Sequence, residues 1–149
     1  MRRRCGGSSG MTLVEVMVST GILLVASVGI VYSFVKCIEL DAIGRVTTVA
    51  VQGVKNKLEE VKASSFAQIY NNYNGATFAI SGVTGRGVIY VNNSNSKLLQ
   101  VKVVYCVQIP GGRVLGEDVN LNGVLNTGED QNANAQIDSP IQMLTKIYG

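Results

Sequence analysis

Gly10-Met11-Thr12-Leu13-Val14-Glu15 opens an apolar run in which Val16 to Val35 carry no charged side chain. About 20 residues of helix, rising about 1.5 Å each, cross the roughly 30 Å hydrocarbon core of a bilayer. The stretch decides the fold because it commits the N-terminal part to a helix without a polar face. Glu15 stands at the start of that helix. An ionisable group at the edge of a span is costly unless neutralised, so Glu15 reads as a functional residue in need of a partner.

Arg2, Arg3 and Arg4 precede the run. Basic residues beside a span stay on the cytoplasmic side, which sends the C-terminal part across the membrane. A secretory signal has the same order of charge and apolar run, but its cleavage site follows the run, and Ala26-Ser27-Val28-Gly29 fits such a site poorly. A plain signal anchor, with Glu15 snorkelling to the interface, is the other simple reading. More specifically, Gly10 followed by Met-Thr-Leu-Val-Glu and an apolar helix resembles the class III signal of type IV pilins and type II secretion pseudopilins, with Met11 in place of the usual phenylalanine. The resemblance implies a leader, residues 1–10, that a prepilin peptidase removes by cutting after Gly10, followed by methylation of the new N-terminus at Met11. It gives Glu15 a role in assembly, its carboxylate pairing with the terminal amine of a neighbouring subunit so that two charges cancel in an apolar filament core. It further implies a single-pass precursor in the inner membrane with its head in the periplasm, and a mature form in a pilus or pseudopilus. Residues 11–36 would form the transmembrane and filament-core helix, and residues 37–149 the head.

The helical pattern continues past the span. Val46, Ala50, Val54, Leu58 and Val61 recur at steps of three or four, with Lys55, Lys57, Glu59, Glu60 and Lys62 mostly on other faces. One helix is expected from Met11 to near Ser64, about 80 Å long at 1.5 Å per residue. Gly21, Gly29, Gly44 and Gly53 weaken it locally, and in the span Gly21 and Gly29 allow close helix approach. Lys57-Leu58-Glu59-Glu60-Val61-Lys62 followed by Phe66 and Ile69 resembles the end of the long helix in minor PilV-like and GspI-like subunits. Major pilins often carry a proline mid-span; none is present here, which favours a minor or pseudopilin-like subunit.

Asn71, Asn72, Asn74 and Gly75 mark a loop. Thr77 to Ile80, Gly87 to Val91, Leu98 to Ile109 and Ile141 to Ile147 then read as strands, rich in β-branched and aromatic residues. Gln100 and Lys102 alternate with apolar residues, which predicts one face on the helix and one toward water. The expected fold class is α+β, with the antiparallel sheet of about four strands packed on the distal half of the helix, the ladle of the pilin family.

Between the last two strands, residues 116–138 fit the calcium loop of an EF-hand: Asp118, Asn120 and Asn122 at alternating places, Gly123 at the sharp turn, Val124 for a backbone carbonyl, Asn126 in the ninth place and Glu129 in the twelfth. A weaker copy follows at a spacing of 12 residues, with Asp130, Asn132, Asn134 and Asp138 as a possible second metal set, Ala135 replacing the turn glycine and Ile141 in the twelfth place. One full site with a partial or shared second is expected. No helix pattern flanks the loop, so it resembles dockerin or thrombospondin type 3 calcium loops more than a paired EF-hand. A merely solvated polar turn is the alternative, but Glu117, Asp118, Glu129, Asp130 and Asp138 are half of the acidic residues, with no basic residue between Arg113 and Lys146. Such carboxylates repel one another without a cation, and structural Ca²⁺ is the expected cofactor.

The formal charge of +3 comes from the leader, since without Arg2, Arg3 and Arg4 the 13 basic residues fall to ten, matching ten acidic ones. A neutral chain gives no electrostatic support for nucleic-acid binding. Cys5 falls in the leader, which leaves Cys37 just past the span and Cys106 in a predicted strand, an arrangement that disfavours a disulfide. With no histidine, Cys106 as a nucleophile would lack the usual base, so no enzyme is expected. The reading is a minor pilin or pseudopilin whose partners are a prepilin peptidase, other subunits in a helical filament and the inner membrane. The alternatives are a major pilin and a single-span, membrane-anchored calcium-binding module that does not polymerise.

Overall fold

The computed structural model describes residues 10–149. The expected leader, apart from Gly10, lies outside them, and so do the readings that rest on Arg2, Arg3, Arg4 and Cys5. Helix α1 runs Leu13–Ala63 and is followed by a short helix α2, Phe66–Tyr73. Five strands follow: β1 Thr77–Phe78, β2 Gly85–Asn95, β3 Leu98–Gln108, β4 Val114–Leu115 and β5 Gln142–Tyr148. The chain divides into two compact units, one ending at Leu40 and the other beginning at Asp41.

From Leu13 onward the first unit is helix, part of an element long and apolar enough to cross a membrane, and none of its most apolar window is buried within the protein. Three of its hydroxyls are satisfied within the helix. Thr20, Ser27 and Ser33 donate to the carbonyls of Val16, Leu23 and Gly29 at 2.8–2.9 Å. A hydroxyl bonded to the preceding turn leaves no unpaired polar group to face lipid.

In the second unit, Ala50, Val54, Leu58 and Val61 form a buried stripe at helical spacing and pack with Ile89, Val91, Val101, Val103, Tyr105 and Val107 of the sheet. Gly53 belongs to that contact: a Cβ there would lie 2.4 Å from the Ile80 side chain, so the glycine lets Ile80 reach the helix backbone. Burying a valine or leucine side chain contributes about 1.5–3 kcal/mol, which makes this stripe the main tie between helix and sheet.

The sheet is antiparallel in the order β1-β2-β3-β4, and β5 also pairs with β3. β2 and β3 are the long central pair, in register from Gly85 opposite Val107 to Asn92 opposite Gln100. β4 pairs Val107 and Gln108 of β3, whereas β5 pairs Leu98 to Val104. The antiparallel sheet of about four strands is borne out with a short fifth, and two other expectations are corrected. The sheet has five strands, because Val114–Leu115 forms a two-residue strand too short to show alternation. Asn71 and Asn72 belong to α2, where Ile69 is fully buried and anchors the turn against the core. The second face of β3 is not turned to water: Val88, Val104 and Cys106 form another core with Ile137, flanked by Leu121 and Leu125 from the polar loop. That loop covers the face, and alternation within the strand could not show a cover drawn from distant sequence.

Candidate functional site

The covering loop, 116–138, is built as two copies of one turn. In the first, the Asp118 carboxylate is fully buried and accepts the backbone N–H of Asn122 at 3.1 Å and of Gly123 at 2.7 Å. In the second, Asp130 accepts the N–H of Asn134 at 3.2 Å and of Ala135 at 2.9 Å. Asn120 and Asn132 each take the N–H two residues on, at 3.0 and 3.1 Å. Asn122 and Asn134 repeat the contact at 2.7 and 2.8 Å. Asn and Asp form such turns readily because a side-chain oxygen reaches the amide two residues on. The backbone repeats as well: Leu121 and Ala133 both have φ of 58°, and Gly123 and Ala135 have 79° and 57°.

Closure of the two copies is also shared. Glu129 accepts the N–H of Val119 at 3.1 Å and of Asn126 at 2.9 Å. Twelve residues earlier in the repeat, Glu117 accepts the N–H of Gln131 at 3.2 Å and of Asp138 at 2.9 Å. Glu117 therefore does for the second turn what Glu129 does for the first, although Ile141 occupies the second turn's twelfth place. The sequence reading missed this. The register of the repeat aligns Glu117 with Glu129, but that Glu117 reaches the later turn, 14 and 21 residues on, follows only from the fold.

The first turn brings together Asp118, Asn120, Asn122, the Val124 carbonyl, Asn126 and Glu129. Asn126 donates from Nδ2 to the Val124 carbonyl at 3.0 Å and to Glu129 at 3.1 Å. Every potential donor in the set is a hard oxygen, the type that Ca²⁺ takes, and two are carboxylates. Among the described residues, no three Asp, Glu or Cys side chains cluster as a metal-holding group. Neutral amide and carbonyl oxygens would have to complete the coordination. Gly123 meets a double demand, since a Cβ would sit 2.6 Å from Thr77 Cγ2 of β1 as well as at positive φ.

The second turn differs in having an ammonium beside it. Lys102 of β3 pairs with Asp138, which also accepts from Asn132 and Asn134 at 2.7 and 2.6 Å. The Lys102 hydrogen bond, followed in effect by the two amides, holds the Asp138 carboxyl below its ordinary range against the cost of burial. Glu129 is lowered chiefly by the Asn126 backbone N–H. The expected unrelieved crowding of five carboxylates is thus relieved in part by a strand lysine and by backbone amides.

At the other candidate site, Thr12 Oγ1 accepts the Glu15 N–H at 3.3 Å, an N-cap contact at the start of α1. Among the described residues the Glu15 carboxylate has no ion-pair partner. Cys37 is exposed and Cys106 buried, and both are free thiols. Burial pushes the Cys106 thiol up, so it stays protonated and poorly nucleophilic. No protein-family model, curated protein or solved structure matches the chain.

Proposed function

We propose that the chain is a minor pilin or pseudopilin: a precursor cut after Gly10, methylated at Met11 and assembled through its apolar helix into a type IV pilus or type II secretion filament. The observation that carries this reading is the helix from Leu13, which begins within Gly-Met-Thr-Leu-Val-Glu and none of whose most apolar window is buried. A surface of that kind requires lipid before assembly and other helices after it. The Glu15 carboxylate, without an ion-pair partner among the described residues, is suited to meet the terminal amine of an adjacent subunit. Each charge then offsets the other's cost of leaving water.

Calcium in the first turn, held by Asp118, Asn120, Asn122, the Val124 carbonyl, Asn126 and Glu129, would join the two carboxylates and stiffen the cover over Val88, Val104 and Cys106. Its part is structural, and the protein works by interaction rather than catalysis. The test is the mass of the N-terminal peptide after co-expression with a prepilin peptidase. A chain starting at N-methylated Met11 is expected; an intact leader, or a cut beyond Val35, overturns the proposal. The Thr12 contact favours a second reading, a non-polymerising membrane-anchored calcium module in which the residues around Glu15 only begin a helix.

A further inference from the structure

Lys102 lies at the middle of β3, directly opposite Tyr90 of β2. Its ammonium donates to Asp138 and to Gln136 Oε1, the latter at 3.3 Å, and stands 5.9 Å from the centre of the Tyr90 ring. Tyr90 Oη in turn accepts the Ile137 N–H at 2.9 Å. Three consecutive residues of the second turn are therefore tied to two neighbouring strands. Lys102 and Asp138 are each about four-fifths buried, so their pairing is less screened than that of a surface pair. The first turn has no counterpart: among the described residues neither Asp118 nor Glu129 forms an ion pair, and Arg86, whose stem runs beside Gly123, pairs with neither.

We propose that Lys102 is the resident cation of the second turn, occupying the Asp138 carboxylate so that calcium enters the first turn alone. The calcium part rests on the proposed function above. Asp138 holds the ninth place of the repeat, where a metal would need its oxygen, and an ammonium already bonded to that oxygen repels an approaching divalent ion. The two turns share a backbone design but differ in their source of positive charge: an exchangeable ion in one and a strand side chain in the other.

The test uses the full chain in detergent micelles, titrated with calcium chloride by calorimetry, together with amide exchange at Ala135 and Gln136 in chelator. Wild type should take up one equivalent and Lys102→Met two, while Lys102→Arg, which keeps the charge, should remain at one. In chelator, Lys102→Met should exchange Ala135 and Gln136 at least about tenfold faster than wild type, as the turn loses its cation. Two equivalents in wild type, or one in Lys102→Met, overturns the selective entry. Unchanged exchange in Lys102→Met overturns the resident-cation role. No uptake by any variant defeats the calcium reading and selective entry with it, while the exchange result still decides the role of Lys102.

Discussion

Glu117 and Glu129, twelve residues apart in the repeat, make equivalent pairs of backbone hydrogen bonds, each closing a different turn. Both are nearly buried. Replacing either with Gln removes one acceptor oxygen and leaves a backbone N–H without its partner, a loss of about 1–3 kcal/mol. In chelator, Glu117→Gln and Glu129→Gln should therefore lower the melting temperature of the full chain similarly. Calcium should raise it for Glu117→Gln but not for Glu129→Gln. An equal calcium response in both variants would remove Glu129 from the proposed ligand set.

Gly123 and Ala135 occupy the same place in the two turns with opposite steric consequences. Gly123→Ala adds left-handed strain and drives a methyl into Thr77, and should cost about 2–4 kcal/mol. Ala135→Gly relieves the strain but frees the unfolded chain, and should gain at most about 1 kcal/mol. Denaturant unfolding of both variants checks the contrast. A harmless Gly123→Ala would mean that the first turn does not rest on β1.

Acid should loosen the loop. Asp138 and Glu129 titrate lower in the folded chain than in the unfolded one, where carboxyl groups titrate near about 4. The stability they add is present above the unfolded values and is lost as pH falls through the folded ones. Melting temperature should hold from pH 7 to about 5 and decline below about 4, with a shallower decline in Asp138→Asn. Parallel declines in wild type and Asp138→Asn would show that Asp138 is not part of this dependence.

Calcium binding to the native state alone must raise the melting temperature. Structural sites in extracellular modules commonly bind at about 10⁻⁴ to 10⁻³ M, so millimolar calcium should raise it by a few degrees and chelator should reverse the rise. No change at millimolar calcium would retire the metal.

Glu15→Ala should abolish filament assembly while leaving membrane insertion intact, as judged by electron microscopy and membrane fractionation. Normal filaments from this variant would sink the pairing role and leave Glu15 as a helix-start residue.

Periodicity made the long helix legible because the stripe Ala50, Val54, Leu58, Val61 repeats within a few residues and meets one continuous core. The central strands were legible for the same local reason. β4 was not, since two residues carry no period, and α2 was obscured by asparagines that sit as readily in turns. The first turn could be read as a ligand template, yet the closing role of Glu117 and the ammonium of Lys102 could not. Each depends on residues that the chain brings back from outside the turn they serve.

From its order of residues alone, the chain determined an apolar helix able to span a membrane, an α+β head and a repeated acidic turn. These follow from short-range regularities: hydrophobic period, charge exclusion and the preference of Asn, Asp and Gly for turns. Tertiary structure alone decided that the turns roof the second face of the sheet, that Glu117 closes the later copy, and that Lys102 neutralises Asp138 from 36 residues away. Burial, hydrogen-bond closure and charge pairing are set by distances through space, and those exist only once the backbone has returned on itself.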